Sequence, residues 1–207
     1  MKNIKNIVFD LGGVVVTLDR NEAARRFVEI GLDQAEEILG HYHQTGIFLD
    51  LEEGKLSEEE FFNALRKIAG KYIPDDAIRY AWLGFIKDVP LRNLDLLDEL
   101  RKKYTLYLLS NTNTIVMNWA CSQQFSSYKR GLHEYFDGLY LSYKIGFAKP
   151  RPEIFEFMLK DSGMIPSETL FIDDGSSNIE VGKQFGLKTF LATNGEDFSS
   201  IFNDVYN

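Results

Sequence analysis

Four short stretches of this 207-residue chain carry side chains able to do chemistry, three of them directly after apolar runs. Asp10 follows IKNIVF and precedes Gly12 and Gly13. A carboxylate there can attack an electrophile, and the glycines allow a ligand to come close and permit unusual backbone angles. Ser110, Asn111 and Thr112 follow YTLYLL and offer hydroxyl, amide and backbone donors able to hold a phosphoryl oxygen where a helix begins. A plain N-cap explains Ser110 alone equally well. Lys149 precedes Pro150, which stiffens the backbone, so its ammonium can neutralise a carboxylate or a phosphate. Asp173 and Asp174 follow TLFI. Adjacent carboxylates after an apolar strand are costly unless solvated, hydrogen-bonded or bound to a cation, and oxygen ligands of this kind suit Mg²⁺. Asn178, at i+4 from Asp174, lies one helical turn on, where it can brace a carboxylate.

Such residues act together only if the strands that carry them end side by side. Residues 4–9, 104–109 and 169–172 are near-continuous apolar runs, weaker ones cover 138–141 and 188–192, and helical patterns fill 91–103, 152–161 and 176–185. Pro152 near a helix start and Gly163 past its end punctuate one of these helices. The alternation predicts an α/β fold: a Rossmann-like, doubly wound parallel sheet of about five strands, with ligands outside the carboxyl ends of the strands. Residues 17–88 offer only helical patterns, including a capping box at Ser57 and Glu60. They are expected to form an inserted helical cap over a core made of residues 1–16 and 89–207.

Composition narrows the function further. With 23 bases against 31 acids, a formal charge of −8 and no basic block, the chain is not expected to bind nucleic acid. Cys121, the single cysteine, allows no intrachain disulfide and no multi-cysteine zinc site, which favours a cytoplasmic location. Asp10 and the glycines interrupt any signal-like apolar stretch near the start, and no apolar run approaches the roughly 20 residues that cross a bilayer.

Taken together, FDLGGV at Asp10, LLSNT at Ser110, AKP at Lys149 and FIDDGSSN at Asp173 resemble the four ordered motifs of the haloacid dehalogenase superfamily, and the helical block between the first two resembles its small helical cap. The resemblance covers nearly the whole chain. It implies that Asp10 is the nucleophile of an aspartyl-phosphate intermediate, that Ser110 and Lys149 hold and neutralise the phosphoryl group, and that Asn111, with the Gly12 and Gly13 backbone, adds substrate contacts. It also implies Mg²⁺ held by Asp10, the Gly12 carbonyl and Asp174, with Asp173 as partner. The expected activity is Mg²⁺-dependent hydrolysis of small phosphorylated metabolites by a monomer or weak homodimer, with no membrane partner.

One position departs from the pattern. Phosphatases of this superfamily usually carry a second aspartate two residues after the nucleophile as general acid and base, and here that residue is Gly12. A reactive leaving group needs less protonation, so a hexose 1-phosphate is one consistent substrate, and the FDLG variant resembles a sugar-phosphate phosphatase branch. Alternatively, Asp50, Glu52 or Glu53 of the cap, or a water, replaces the missing acid. A metal-independent dehalogenase would need no such acid at all, and a catalytically impaired binding protein is a third reading. His41 and His43 diverge on a helix and are weak metal candidates. Phe48 is either a specificity contact or a cap-core aromatic, residues 114–137 add a helix or an interface, and Ile201, Phe202 and Val205 predict a final helix.

Overall fold

The computed structural model describes residues 3–33, 35, 39 and 46–205; His41 and His43 lie outside them. Its strands are β1 (Asn6–Phe9), β2 (Thr17–Leu18), β3 (Ile86–Asp88), β4 (Thr105–Ser110), β5 (Gly138–Leu141), β6 (Thr169–Asp173) and β7 (Lys188–Leu191). The helices are α1 (Arg20–Glu29), α2 (Ile47–Glu52), α3 (Glu58–Ala69), α4 (Asp75–Trp82), α5 (Leu91–Leu100), α6 (Thr114–Ala120), α7 (Ser142–Ile145), α8 (Pro152–Ser162) and α9 (Ser176–Gln184).

Five parallel strands form one sheet in the order β5-β4-β1-β6-β7. The chain winds outward from β1 through β4 to β5, then returns to β6 on the other side of β1. Where winding reverses in this way, the strand ends leave a crevice. Side chains alternate across the sheet: Ile7, Phe9, Leu108 and Ile172 pack with α5 and α6, whereas Val8, Leu109 and Phe171 pack with α8 and α9. Burial on both faces explains why these strands read as unbroken apolar runs.

Helix ends follow local chemistry. Pro152 opens α8 and Gly163 closes it in the left-handed region. The Ser57–Glu60 capping box opens α3. Helix α5 stops at Leu100, short of the expected 103, because Lys102 and Lys103 tighten into bonds to carbonyls three residues back. At the far end, residues 199–205 form 3₁₀ turns rather than the expected α-helix, although Phe202 is fully buried in the core as its spacing implied.

Between β2 and β3 the described elements are helical, and they share a separate apolar cluster around Phe27, Phe48, Phe61 and Trp82. Phe48 stacks on Trp82 at 5.2 Å and meets the edge of Phe61 at 5.3 Å, so it is a packing residue and not a specificity contact. β2 and β3 pair antiparallel, placing the two passages into and out of this block side by side. Two further contacts fasten it to the sheet domain. Ile115 of α6 is buried in the aromatic cluster, and Thr114 Oγ1 donates to Glu58 Oε2 at 2.9 Å.

Candidate active site

Strand register builds the site. Phe9 is level with Leu108 and Ile172, so the next residues, Asp10, Leu109 and Asp173, arrive together at one edge of the sheet. The Asp10 N–H donates to Ile172 O at 2.9 Å, fixing the nucleophile candidate to β6. The loop that follows is held from behind by Asn93, whose buried Nδ2 donates to Val14 O and Val15 O at 2.9 and 3.1 Å.

Lys149 is the electrostatic centre. Its ammonium, 1% exposed, contacts Asp10 Oδ1 at 2.9 Å and donates to Asp173 Oδ2 at 2.6 Å and Leu109 O at 2.7 Å. Burial alone would disfavour its charge, but Asp10 and Asp173 outweigh that and raise its pKa. Asp10 responds the other way. Burial pushes its carboxyl up to about 7, with Lys149 opposing and the neighbouring Asp173 and Asp174 reinforcing the rise. Asp174 is also raised, by burial and then by Asp173.

Asn111 supports this arrangement through the Lys149 backbone. Its Oδ1 accepts from Lys149 N at 2.7 Å and its Nδ2 donates to Lys149 O at 2.8 Å. One Nδ2 proton and the side face toward the cleft are thus what Asn111 has left for a substrate. Ser110 is buried, with Oγ only 3.3 Å from Asn111 O, and lies beside Thr112 on a second cavity. Asn178 braces Asp173 rather than Asp174: Asp173 Oδ1 accepts from Asn178 Nδ2 at 2.8 Å and from Gly175 N at 2.7 Å.

Both oxygens of Asp173 are therefore engaged, and Asp174 is the more open of the pair. The carboxylates of Asp10, Asp173 and Asp174 each bring an oxygen within 4.8 Å of the others, a hard, anionic donor set that fits Mg²⁺. Gly13 makes room for it. Its φ is +75°, and a Cβ there would fall 2.0 Å from Asp174 Oδ2. Gly13→Ala is expected to cost about 1–2 kcal/mol in backbone strain and, by displacing Asp174, roughly 10–100-fold in Mg²⁺ affinity. Calorimetric titration with Mg²⁺ checks this, and unchanged affinity would remove Gly13 from the site.

Two cavities meet above these residues. A cleft of about 660 Å³ is lined by Asp10, Lys149, Asp174 and residues 175–178, with Leu49 and Glu52 facing them from α2. A smaller chamber of about 150 Å³ lies between the helical block and the sheet, walled by Val16, Trp82, Phe85 and Val116 with Arg20, Ser110 and Thr112 among them. Gly12, Leu18, Glu52 and Asn111 border both.

The sequence matches the haloacid dehalogenase-like hydrolases over residues 4–186. The chain belongs to that family. It is 54% identical to D-ribitol-5-phosphate phosphatase of Bacteroides thetaiotaomicron, over 99% of each chain. Its fold is similar to that of a predicted HAD-like hydrolase of Porphyromonas gingivalis, at 42% identity and a TM-score of 0.94 over 99% of this chain and 98% of that one. It is likewise similar to a HAD family enzyme of Bacteroides thetaiotaomicron crystallised with magnesium and inorganic phosphate, at 42% identity and 0.90 over 97% and 100%.

Among HAD hydrolases the departure at Gly12 now has a physical setting. A Cβ on Gly12 would come 2.9 Å from Leu18 Cδ1, so a side chain at 12 would require Leu18 to shift. Of the three cap acids, Asp50 borders neither cavity and lies 3.7 Å from Lys55. Glu53 is buried as a tether: it pairs with Lys55 at 2.5 Å and Arg151 at 3.5 Å and accepts from Ala148 N at 3.4 Å. Burial opposes its charge, but these partners prevail and lower its pKa. Glu52 alone of the three reaches the cleft. Arg20, at the start of α1, also lines the smaller chamber, a place that its sequence setting did not indicate.

Proposed function

We propose that this hydrolase is a Mg²⁺-dependent phosphatase of small polyol or sugar phosphates, with terminal pentitol phosphates as its preferred class. The observation that carries this reading is the charge arrangement: three carboxylates gathered around one buried ammonium, in excess of what Lys149 can neutralise. Displacement at carbon by a carboxylate gains nothing from such a cluster, whereas a phosphoryl group needs both a nucleophile and a counterion beside it. The identity with a ribitol phosphate phosphatase along the whole chain supports the substrate class.

In this reading Asp10 attacks phosphorus and forms an aspartyl-phosphate, which water then hydrolyses. Lys149 keeps Asp10 oriented and supplies positive field at contact range, since its three protons already have acceptors. Ser110 and the spare Asn111 proton hold phosphoryl oxygens. Asp10, Asp174 and the Gly12 carbonyl would hold Mg²⁺, with Asp173 as the brace between Lys149 and α9. When bound there, Mg²⁺ supplies charge neutralisation on the phosphoryl oxygens. The block of residues 17–88, expected to be all helical but bounded by the paired strands β2 and β3 with its helices between them, acts as the cap that closes the cleft from water.

Phosphate release is measured from pentitol 5-phosphates, pentose phosphates, hexose 1-phosphates and nucleoside monophosphates, with Mg²⁺ or EDTA. Release that requires Mg²⁺ and favours the five-carbon esters is expected. A preference for hexose 1-phosphate would restore the leaving-group explanation of Gly12, and halide release from 2-haloacids without phosphate release would overturn the phosphatase.

A further inference from the structure

A terminal polyol phosphate has an alkoxide leaving group, and alkoxides leave poorly unless protonated. Position 12 supplies no proton donor here, because Gly12 has no side chain, and Leu18 packs against it. The side chains bordering the cleft and chamber leave few substitutes among the described residues. Asp10, Asp174 and Lys149 form the charged cluster, and Arg20 does not give up its proton in proteins. Glu52 is the one remaining carboxyl on either wall. It sits at the end of α2, is 5% exposed, borders both cavities together with Gly12, and shares the cleft with Asp10. Its neighbour Glu53 ties the same turn to Ala148 and Arg151 beside Lys149, which holds Glu52 in register with the site.

We propose that Glu52, delivered by the helical block, is the general acid and base of this enzyme in place of a residue at position 12. As Asp10 Oδ bonds to phosphorus and the P–O(alkyl) bond breaks, the Glu52 carboxyl gives its proton to the leaving oxygen, which departs as the alcohol. The Glu52 carboxylate then takes a proton from the water that attacks the aspartyl-phosphate, releasing inorganic phosphate and the Asp10 carboxylate. This rests on the phosphatase reading above.

The test is leaving-group dependence. Wild type, Glu52→Gln and the cap-surface control Asp50→Asn are compared by kcat/KM on a pentitol 5-phosphate and on p-nitrophenyl phosphate, whose phenolate leaves without protonation. For Glu52→Gln, a loss of about 10²-fold or more is expected on the alkyl ester and less than about threefold on the aryl ester. Equal losses on both, or a change in KM alone, would make Glu52 a binding or structural residue and overturn the proposal. No loss on either would also overturn it. If Glu52→Gln does not fold, Glu52→Asp, which withdraws the carboxyl by one methylene, must show the same selective loss in smaller measure. Failure of wild type on every phosphate ester would instead overturn the phosphatase reading, and cleavage of the aryl ester alone would overturn the acid role.

Discussion

Asp10→Asn is expected to lose about 10⁴-fold or more in turnover and, in metal-free buffer at pH 8, to be more stable than the wild type. The first half follows from removing the nucleophile while keeping its shape. The second follows from the environment of Asp10. Burial and the nearby Asp173 and Asp174 lift its carboxyl to about 7 in the folded protein, against 3.8 for the ordinary group, even with Lys149 opposing them. Between those two values the folded state binds a proton that the unfolded state does not, so stability must fall as pH rises through that window. Above it the full penalty is present, on the order of a few kcal/mol. Asparagine has no such penalty, and Lys149 keeps Asp173 and Leu109 O as partners. Melting temperatures in EDTA at pH 5 to 8 provide the check: the wild type should lose stability with rising pH far more than the variant, and Mg²⁺ should restore it. Parallel pH profiles for the two proteins would contradict the origin assigned to the shift.

Lys149→Met should produce the largest loss of stability, about 3–5 kcal/mol by urea denaturation at pH 7.5. Lysine is the cation inside a cluster of three carboxylates, and a thioether of similar length replaces its packing but not its charge. Asp173 suffers most, being fully buried with one oxygen facing the ammonium at 2.6 Å. The sign of the pH dependence is again fixed. Without the Lys149 charge that holds the Asp10 and Asp174 pKa values down, both rise further, so the variant should recover stability on acidification. Adding Asp173→Asn to Lys149→Met should return part of the loss, because one uncompensated charge is removed. A loss below about 1 kcal/mol, or no recovery in the double variant, would mean that the carboxylates are compensated elsewhere.

Much of this site was legible in the one-dimensional pattern. Asp10, Ser110 and Asp173 each stand where an apolar run stops, as the ends of buried strands do, whereas Lys149 lies in the loop after α7 and is marked in the sequence only by the proline that follows it. The structure brings Asp10, Asp173 and Asp174 together at those strand ends, and Lys149 joins them from its loop. Individual partners were less accessible. Asn178 braces Asp173 and not Asp174, and Asn111 spends most of its amide on the Lys149 backbone, because loop geometry, not spacing, decides which acceptor is within reach. Phe48 fits both packing and specificity in its sequence setting, and only its contacts with Trp82 and Phe61 make it a packing residue.

By itself the sequence determined the parallel sheet, the strand ends that carry the chemistry and the family, since burial on both faces and terminal polar residues leave a local imprint on residue order. Tertiary structure alone decided how Lys149 divides its protons, how far Asp10 is lifted, that Leu18 packs against Gly12, and that Glu52 rather than Asp50 or Glu53 borders the cleft. Those are properties of distance between segments far apart in the chain, and desolvation and Coulomb energies depend on that distance, whereas residue order constrains only neighbours.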